Sequence, residues 1–211
     1  MCDLTTFANK TMKGVDFTNK KCTALTNEEY ERVIDLLRNG FVYKEHVIRP
    51  NERIATVAVL ETTLGLRLGD VLKLRLSSFV RDGGNWKLDI IEQKTGKRRS
   101  FTVPVEIYSY IQNYAISSSI GVDTKLFDIS ERQVQRHLRM VFEKAGLDIR
   151  NKSSHTFRKT FAQRVYIDSN YNIELVRVLL QHSSVNTTQK YLGIQPKQIE
   201  DALAKTSDYL I

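Results

Sequence analysis

Residues 179–192, which read LLQHSSVNTTQKYL, carry the pattern that decides the fold. An apolar pair and a glutamine precede His182, and either Ser183 or Ser184 can then cap the free backbone amides of a new helix. Tyr191 lies nine residues after His182, inside that second helix. The stretch therefore predicts one helix that ends before a histidine and a following helix that presents a tyrosine.

A second pair of chemically capable residues lies upstream of this stretch. His155 and Arg158 are three residues apart, so on a helix their side chains project to neighbouring points of one face. The apolar side chains of Phe157, Phe161 and Val165 are rotated away from that face. We expect the apolar residues to pack inward and the His155 and Arg158 side chains to line a cleft. By itself this spacing is common on protein surfaces.

Two helices are predicted in the first third of the chain. Residues 26–29, TNEE, have the spacing of a capping box and mark the start of the first. The apolar pattern of residues 51–64 predicts the second, and Gly65 is a plausible C-terminal stop. Arg67 therefore falls just past a helix end, and a short helix over residues 69–74 should follow.

The middle of the chain predicts a small antiparallel sheet. The β-like runs at residues 86–91 and 98–103 bracket residues 94–97, KTGK, as a hairpin turn. From Pro104 onward the pattern is helical. Further helix starts are expected at the capping residues Ser130, Ser153 or Ser154, and Asn172. The predicted fold class is α+β, mostly α-helical with a small antiparallel β-sheet.

Length and composition predict one main domain. The chain has 211 residues, and its 32 Lys and Arg against 24 Asp and Glu give a net charge of +8, which favours an anionic partner such as nucleic acid. We divide it into an N-terminal arm or linker at residues 1–24, a domain at residues 25–194 and a C-terminal tail helix at residues 195–211. Cys2 and Cys22 suit neither a disulfide framework nor a four-ligand zinc site, which favours a reducing cytoplasm.

Together these motifs resemble the catalytic domain of tyrosine recombinases of the phage integrase family. Residues 179–192 resemble the family's terminal signature, and residues 63–74, TLGLRLGDVLKL, resemble its first-arginine motif. Lys94 stands where the family places its hairpin lysine. The resemblance thus fills six catalytic positions in order, namely Arg67, Lys94, His155, Arg158, His182 and Tyr191. It implies the fold of DNA breaking-rejoining enzymes.

The resemblance implies covalent phosphoryl transfer with no metal and no cofactor. Tyr191 would be the nucleophile, and His155 would help to remove its proton. Arg67 and Arg158 would clamp the nonbridging oxygens, because a planar guanidinium can donate two hydrogen bonds to one phosphate. His182 would donate a further hydrogen bond to the phosphate. For Arg67, a purely structural salt bridge is the competing interpretation.

The departing 5′ oxygen needs a proton, and the resemblance makes Lys94 the candidate acid. Lys97 is the competing assignment in the same turn. Asp70 stands where the family often has a supporting acidic residue, and it is also the nearest candidate partner for a structural salt bridge with Arg67. The residues expected to bind DNA are Lys97, Arg98 and Lys159.

The resemblance implies that the substrate is double-stranded DNA and that the protein forms a homotetramer on it. When free of DNA, this chain is expected to be a monomer. It also implies an N-terminal helical core-binding domain, for which residues 1–24 are too few. Residues 195–211 would form a tail helix that docks on a neighbouring protomer when the protein is crowded on DNA, or that folds back on its own domain when the protein is free. A type IB topoisomerase would share the pocket chemistry, and a DNA-binding regulator would keep the fold without it. The complete set of six residues and the short tail favour a site-specific recombinase or integrase. The sequence contains no run of eighteen apolar residues, so it predicts no membrane-spanning helix.

Overall fold

The computed structural model describes residues 22–193 together with Ala204 and Thr206. The helices within residues 22–193 are α1 Asn27–Asn39, α2 Glu52–Leu64, α3 Leu68–Val71, α4 Val105–Ser117, α5 Glu131–Lys144, α6 His155–Asp168, α7 Ile173–Leu180 and α8 Val185–Leu192. The strands there are β1 Phe41–Tyr43, β2 His46–Ile48, β3 Phe79–Asp82, β4 Asn85–Ile91 and β5 Arg98–Val103. Helices dominate and both sheets are antiparallel, which confirms the expected fold class.

Capping side chains set several of the helix starts. Thr26 and Ser130 each form a capping box, in which the hydroxyl accepts from a backbone amide three residues later. Asn172 and Ser184 cap α7 and α8 with one hydrogen bond each, which their side-chain oxygens accept from the backbone amide three residues later. Each cap satisfies an amide that has no partner inside its helix, which is why these starts could be predicted from the sequence.

The end of α2 depends on Gly65. This glycine adopts the left-handed conformation, with φ 58° and ψ 29°, and a Cβ atom there would lie 2.4 Å from ring atoms of Phe161. Only glycine has neither the conformational penalty nor the clash. The chain then extends through Arg67 into α3, Leu68–Val71, which is a single turn and shorter than the expected helix at residues 69–74.

The main core forms around α2, which is buried on nearly every side. It packs against α1 and α6, and its inward residues include the carboxylate-bearing Glu61 as well as aliphatic side chains. Leu88 from the middle of β4 and Phe157 from α6 belong to the same core. This packing attaches the sheet and α6 to one scaffold.

A second, smaller apolar cluster joins α6, α7 and α8. Its buried members are Ala162, Val176 and Leu180, and Tyr191 and Leu192 of α8 pack against them. The Tyr191 side chain therefore packs within this smaller cluster, and α6 connects the cluster to the main core.

The three-stranded sheet has the order β3-β4-β5. Leu88 pairs with Phe79 on one side and Phe101 on the other. Residues 92–97 connect β4 to β5, and the bond from the Glu92 amide to the Lys97 carbonyl, 2.9 Å long, closes this turn. The predicted strands at residues 86–91 and 98–103 are confirmed within one residue.

Strands β1, β2 and β3 were not predicted. Strands β1 and β2 have three residues each, too few for an alternating pattern. Their turn uses Lys44 and Glu45, both at positive φ, instead of the Gly or Asn that normally signals such a hairpin. Strand β3 has only four residues and follows a 3₁₀ turn at Leu76–Ser78.

The chain before α1 lies along the start of α6. The amide of Thr23 donates to the Asn151 carbonyl at 2.9 Å, and the amide of Leu25 donates to the Thr160 hydroxyl at 2.9 Å. Of the predicted arm at residues 1–24, only residues 22–24 belong to the described part.

The predicted tail helix at residues 195–211 lies outside the described residues except for Ala204 and Thr206, which are helical and exposed. Within the described part of the chain, no helix combines the length and apolar character needed to cross a membrane.

Candidate active site

A surface cavity of about 390 Å³ lies where α3, the β4-β5 turn and the starts of α5 and α6 meet. Its lining residues are Arg67, Leu68, Gly69, Asp70, Gln93, Lys94, Glu131 and His155. Three of the six predicted catalytic residues and the predicted supporting aspartate thus meet at one concavity, although they come from distant parts of the chain.

Arg67 reaches the cavity because the left-handed end of α2 turns the chain toward it. Its guanidinium donates to the Glu92 carboxylate at 2.6 Å, and the Arg67 side chain keeps 20% of its surface exposed. The ion-pair partner is therefore Glu92, and the suggested pairing with Asp70 is wrong. The Asp70 carboxylate instead accepts from the Gln93 amide at 2.8 Å, which holds the start of the turn that carries Lys94.

The β4-β5 turn separates the two candidate lysines. Lys94 lines the cavity, whereas Lys97 is exposed and is not among the lining residues. The next residue, Arg98, is exposed and makes a bidentate pair with Asp89 at 2.7 and 2.5 Å. An intramolecular carboxylate therefore neutralises one of the side chains predicted to bind DNA.

His155 is the first residue of α6. Its amide donates to the Ser153 hydroxyl at 3.2 Å, and its imidazole lines the cavity. Burial and the positive charges of Arg158, Lys94 and Arg67 lower the pKa of His155. The imidazole is therefore neutral at physiological pH and able to accept a proton.

Arg158 is buried and does not line the cavity, so the expectation that it would share a cleft with His155 is wrong for this conformation. Its guanidinium donates to the carbonyls of Gly65, at the end of α2, and of Leu180, at the end of α7. Burial lowers the pKa of Arg158 to about 10, which leaves it charged at neutral pH. Two helix ends therefore hold this cation one layer below the cavity.

His182 follows the left-handed residue Gln181, whose φ is 53°. A glutamine here adopts the left-handed conformation that a glycine usually provides at a helix end. The Nδ1 atom of His182 lies 3.1 Å from the Thr188 hydroxyl, and its ring packs edge-on against Tyr191. Burial, with the charges of Arg158 and Arg67, lowers the pKa of His182 to about 4, so the ring is neutral.

Tyr191 is held with its hydroxyl inside the protein. The hydroxyl is buried and has no hydrogen-bond partner among the described residues. Burial raises the pKa of Tyr191 to about 12, although the charge of Arg158 counteracts part of the shift. The ammonium of Lys159, predicted to bind DNA, lies 5.1 Å from the centre of the Tyr191 ring. The phenol therefore remains protonated in this conformation.

Three buried charged residues were not predicted from the sequence. Glu92 and Arg99 form a buried ion pair beside Arg67, and Glu61 is a buried carboxyl in α2. For Arg99 a signal was present in the sequence, because it alternates in phase with Phe101 and Val103 on one face of the strand. For Glu61 no local signal exists, because a single carboxylate in an apolar helix usually marks the solvent face. Within residues 22–193, Ala204 and Thr206, no cluster of three or more His, Cys, Asp or Glu side chains has metal-binding geometry.

The described residues form an α+β domain in which Arg67, Lys94 and His155 line one cavity and Tyr191 lies on a helix that packs against α6. The phage integrase family model matches residues 23–198, and the chain belongs to that family. Its fold is that of tyrosine recombinase catalytic domains.

Curated relatives include the tyrosine recombinase XerC of Caldanaerobacter subterraneus, 27% identical over 190 residues, which cover 86% of this chain and 50% of that protein. The probable integrase/recombinase YoeC of Bacillus subtilis is 29% identical over 157 residues, 72% of this chain and 83% of that protein. The chain spans about half the length of the XerC relative.

Solved structures with the same fold include the XerH site-specific recombinase bound to its difH substrate. That structure has a TM-score of 0.64 and 21% identity, and the match covers 88% of this chain and 55% of the XerH chain. The catalytic domain of bacteriophage HP1 integrase has a TM-score of 0.61 and 17% identity, over 87% of this chain and 95% of that domain.

Proposed function

We propose that this chain is the catalytic domain of a site-specific DNA recombinase or integrase that cuts and rejoins DNA through a covalent 3′-phosphotyrosyl intermediate at Tyr191. The observation that carries the proposal is the convergence of Arg67, Lys94 and His155 on one cavity, with Arg158 directly behind it. Both the XerC and the YoeC relatives are named as recombinases, which supports the same reaction.

In the proposed reaction, the Tyr191 oxygen attacks the scissile phosphorus and the bond to the 5′ oxygen breaks. His155 accepts the phenolic proton, which its neutral imidazole can do. Lys94 donates a proton to the departing 5′ oxygen. The reverse step, with a 5′ hydroxyl as nucleophile, rejoins a strand and releases the tyrosine, so no external energy source is needed.

Charge stabilisation would come from arginine. Arg67, at the cavity wall, would contact a nonbridging oxygen, and the buried Arg158 would contact the phosphate once α8 or the phosphate moves toward it. His182, being neutral, would donate one hydrogen bond without adding charge. These contacts require neither a metal nor a cofactor.

The buried hydroxyl of Tyr191 implies a resting conformation. The small cluster of α6, α7 and α8 holds the tyrosine, so an outward movement of α8 can expose the phenol without disturbing the main core. In the proposal, binding of DNA selects that movement. Double-stranded DNA as substrate, a homotetramer on DNA, a monomer when free and a cytoplasmic location are parts of the same proposal.

The direct test is trapping of the covalent intermediate on a nicked duplex, from which the cut fragment diffuses away. We expect the parent protein to form the adduct and Tyr191→Phe to bind the duplex equally well but form none, because only the attacking oxygen is removed. Tyr171→Phe, at an exposed position, is the matched control and should react like the parent. An adduct at normal yield from Tyr191→Phe would place the nucleophile on another tyrosine.

A further inference from the structure

Arg99 is among the largest fully buried side chains in the described part of the molecule, and none of the family motifs accounts for it. It lies on the inward face of β5. Its guanidinium donates to the Glu92 carboxylate at 3.1 Å and to the backbone carbonyls of Leu64 at 3.0 Å and Leu179 at 2.7 Å. A single side chain thus links the sheet to two helices that are far apart in the sequence.

Both carbonyls lie at helix C-termini, where unpaired carbonyls carry partial negative charge and favour a cation. Leu64 is the last residue of α2, and Leu179 belongs to the last turn of α7. Arg158 bridges the same two ends one residue further along, through the carbonyls of Gly65 and Leu180. Two buried arginines therefore fasten the end of α2 to the end of α7, immediately before Arg67 and His182.

Glu92 connects this fastening to the cavity. Its carboxylate is buried and accepts hydrogen bonds from Arg99, from Arg67 at 2.6 Å and from the Thr95 hydroxyl at 2.9 Å. Burial works to raise the pKa of Glu92, but the hydrogen bonds from Arg67, Thr95 and Arg99 outweigh it and hold the pKa below its usual value. The carboxylate is therefore ionised, and Arg67 is restrained on one side while its exposed part faces the cavity.

We propose that Arg99 and Glu92 are positioning residues for strand transfer: Glu92 orients the Arg67 guanidinium toward the phosphate, and Arg99 holds Glu92 together with the ends of α2 and α7. The proposal deepens the proposed function and rests on it. Neither side chain lines the cavity, so both act through Arg67 and through the segment that carries His182.

The competing interpretation is an ion pair that only supports folding. Buried pairs contribute little net stability compared with apolar residues of the same size, so stability alone does not explain a buried Arg-Glu-Arg arrangement. The two interpretations differ in where a substitution acts. A positioning role predicts slower chemistry that depends on the presence of Arg67, whereas a folding role predicts loss of folded protein without that dependence.

The test uses Glu92→Gln and Arg99→Lys, which keep the size of each side chain approximately constant. Adduct formation is followed in single turnover on nicked DNA at a saturating concentration and at a temperature where melting curves show folded protein. We expect both variants to react about 100-fold more slowly, because a displaced Arg67 stabilises the transition state less well. Lysine cannot replace Arg99, since one ammonium cannot match a guanidinium that reaches a carboxylate and two carbonyls.

Arg67→Ala supplies the critical comparison. Adding Glu92→Gln to Arg67→Ala should cause almost no further loss of rate, because the residue through which Glu92 acts is already absent. Asp82→Asn and Arg81→Lys, at exposed positions in the same sheet, are matched controls for the loss of a carboxylate charge and for the replacement of a guanidinium by an ammonium, and both should react at the parental rate. Multiplicative losses in the double variant would overturn the proposal.

A second measurement does not depend on catalysis. In the parent, ¹⁵N relaxation of the arginine Nε groups should show Arg67 rigid, and in Glu92→Gln it should become mobile. An equally rigid Arg67 in Glu92→Gln would overturn the positioning role even if the reaction is slow. If the parent protein forms no adduct with any nicked DNA while Arg67 becomes mobile in Glu92→Gln, the proposed function fails and the link between Glu92 and Arg67 remains.

Discussion

The Tyr191 hydroxyl and the Arg158 guanidinium are both turned away from solvent, although the proposed reaction needs both at a phosphate. Burial raises the pKa of Tyr191 to about 12 and lowers that of Arg158 to about 10, so each change disfavours the ionised form. The neutral phenol next to a buried cation is a suitable resting state, because it prevents attack until α8 moves. Access to the nucleophile would then control the first step.

Lys94 and Lys97 are distinguished by position alone, since only Lys94 lines the cavity. We predict that the Lys94→Ala variant forms no adduct on ordinary nicked DNA. The same variant should form the adduct on DNA that carries sulfur at the bridging 5′ position. A thiolate is a good leaving group and needs no proton from an acid. The measurement is the adduct yield on both substrates, with Lys97→Ala as the control that should show no such dependence. Rescue seen only for Lys97→Ala would assign the acid to Lys97.

Glu61 is fully buried, and neither carboxylate oxygen has a hydrogen-bond partner among the described residues. Burial raises the pKa of Glu61 well above its usual value of 4.5, an effect that the Arg158 charge reduces and that Glu131 and Cys22 increase. The folded protein thus retains a proton that the unfolded chain releases. The contribution of this group to stability is full below pH 4.5 and is lost as the pH rises.

We therefore predict that Glu61→Gln, which keeps the shape without an ionisable group, melts at the parental temperature near about pH 4 and above it at neutral pH. The difference in melting temperature should grow from about pH 5 to about pH 8. Glu31→Gln, at an exposed position of α1, is the control and should show no such trend. A pH-independent difference for Glu61→Gln would show that the carboxyl ionises normally.

At the scale of elements, the turn between α2 and α3 positions Arg67 and supplies a carbonyl to Arg158. A Cβ atom at Gly65 would overlap the Phe161 ring, and an alanine at this position would have to adopt the left-handed backbone conformation. We predict that Gly65→Ala lowers the free energy of unfolding by about 2–5 kcal/mol, the sum of the two penalties.

Gly146 is the matched control for this substitution, because its φ is also positive, at 74°, but no atom lies within 4 Å of an added Cβ. Gly146→Ala should cost only the conformational penalty of about 1–2 kcal/mol. Urea unfolding of both variants and the parent measures the difference. Equal losses would mean that Phe161 moves aside and that the contact with Gly65 is unimportant.

At the scale of the whole molecule, the net charge of +8 and the cationic side chains of Arg67 and Lys94 at the cavity predict a strongly electrostatic affinity for DNA. We predict that binding to a duplex weakens about 10³-fold between about 50 mM and about 200 mM salt, because phosphate contacts release condensed counterions. Fluorescence anisotropy with a labelled duplex measures this, and a duplex of scrambled sequence should show the same slope. Salt-independent binding would contradict an interface built on phosphate contacts.

The sequence by itself determined the local structure and the set of candidate residues. Helix starts and the β4-β5 hairpin depend on side chains within a few positions, such as the hydroxyls at Thr26 and Ser130, so they can be recognised from short segments. The six candidate positions were recognised through the resemblance of short motifs to those of the phage integrase family. Strands of three residues escaped prediction, because such segments are too short to show a pattern.

Only the tertiary structure decided which of these groups meet and how deeply each is buried. The contact of Arg99 with the Leu179 carbonyl joins residues 80 positions apart, and no local pattern encodes such a contact. The tertiary fold likewise places Glu92 beside Arg67 and leaves the Tyr191 hydroxyl buried. The cost of removing a charge from water depends on every group packed around it, which is a property of the folded molecule and not of any segment.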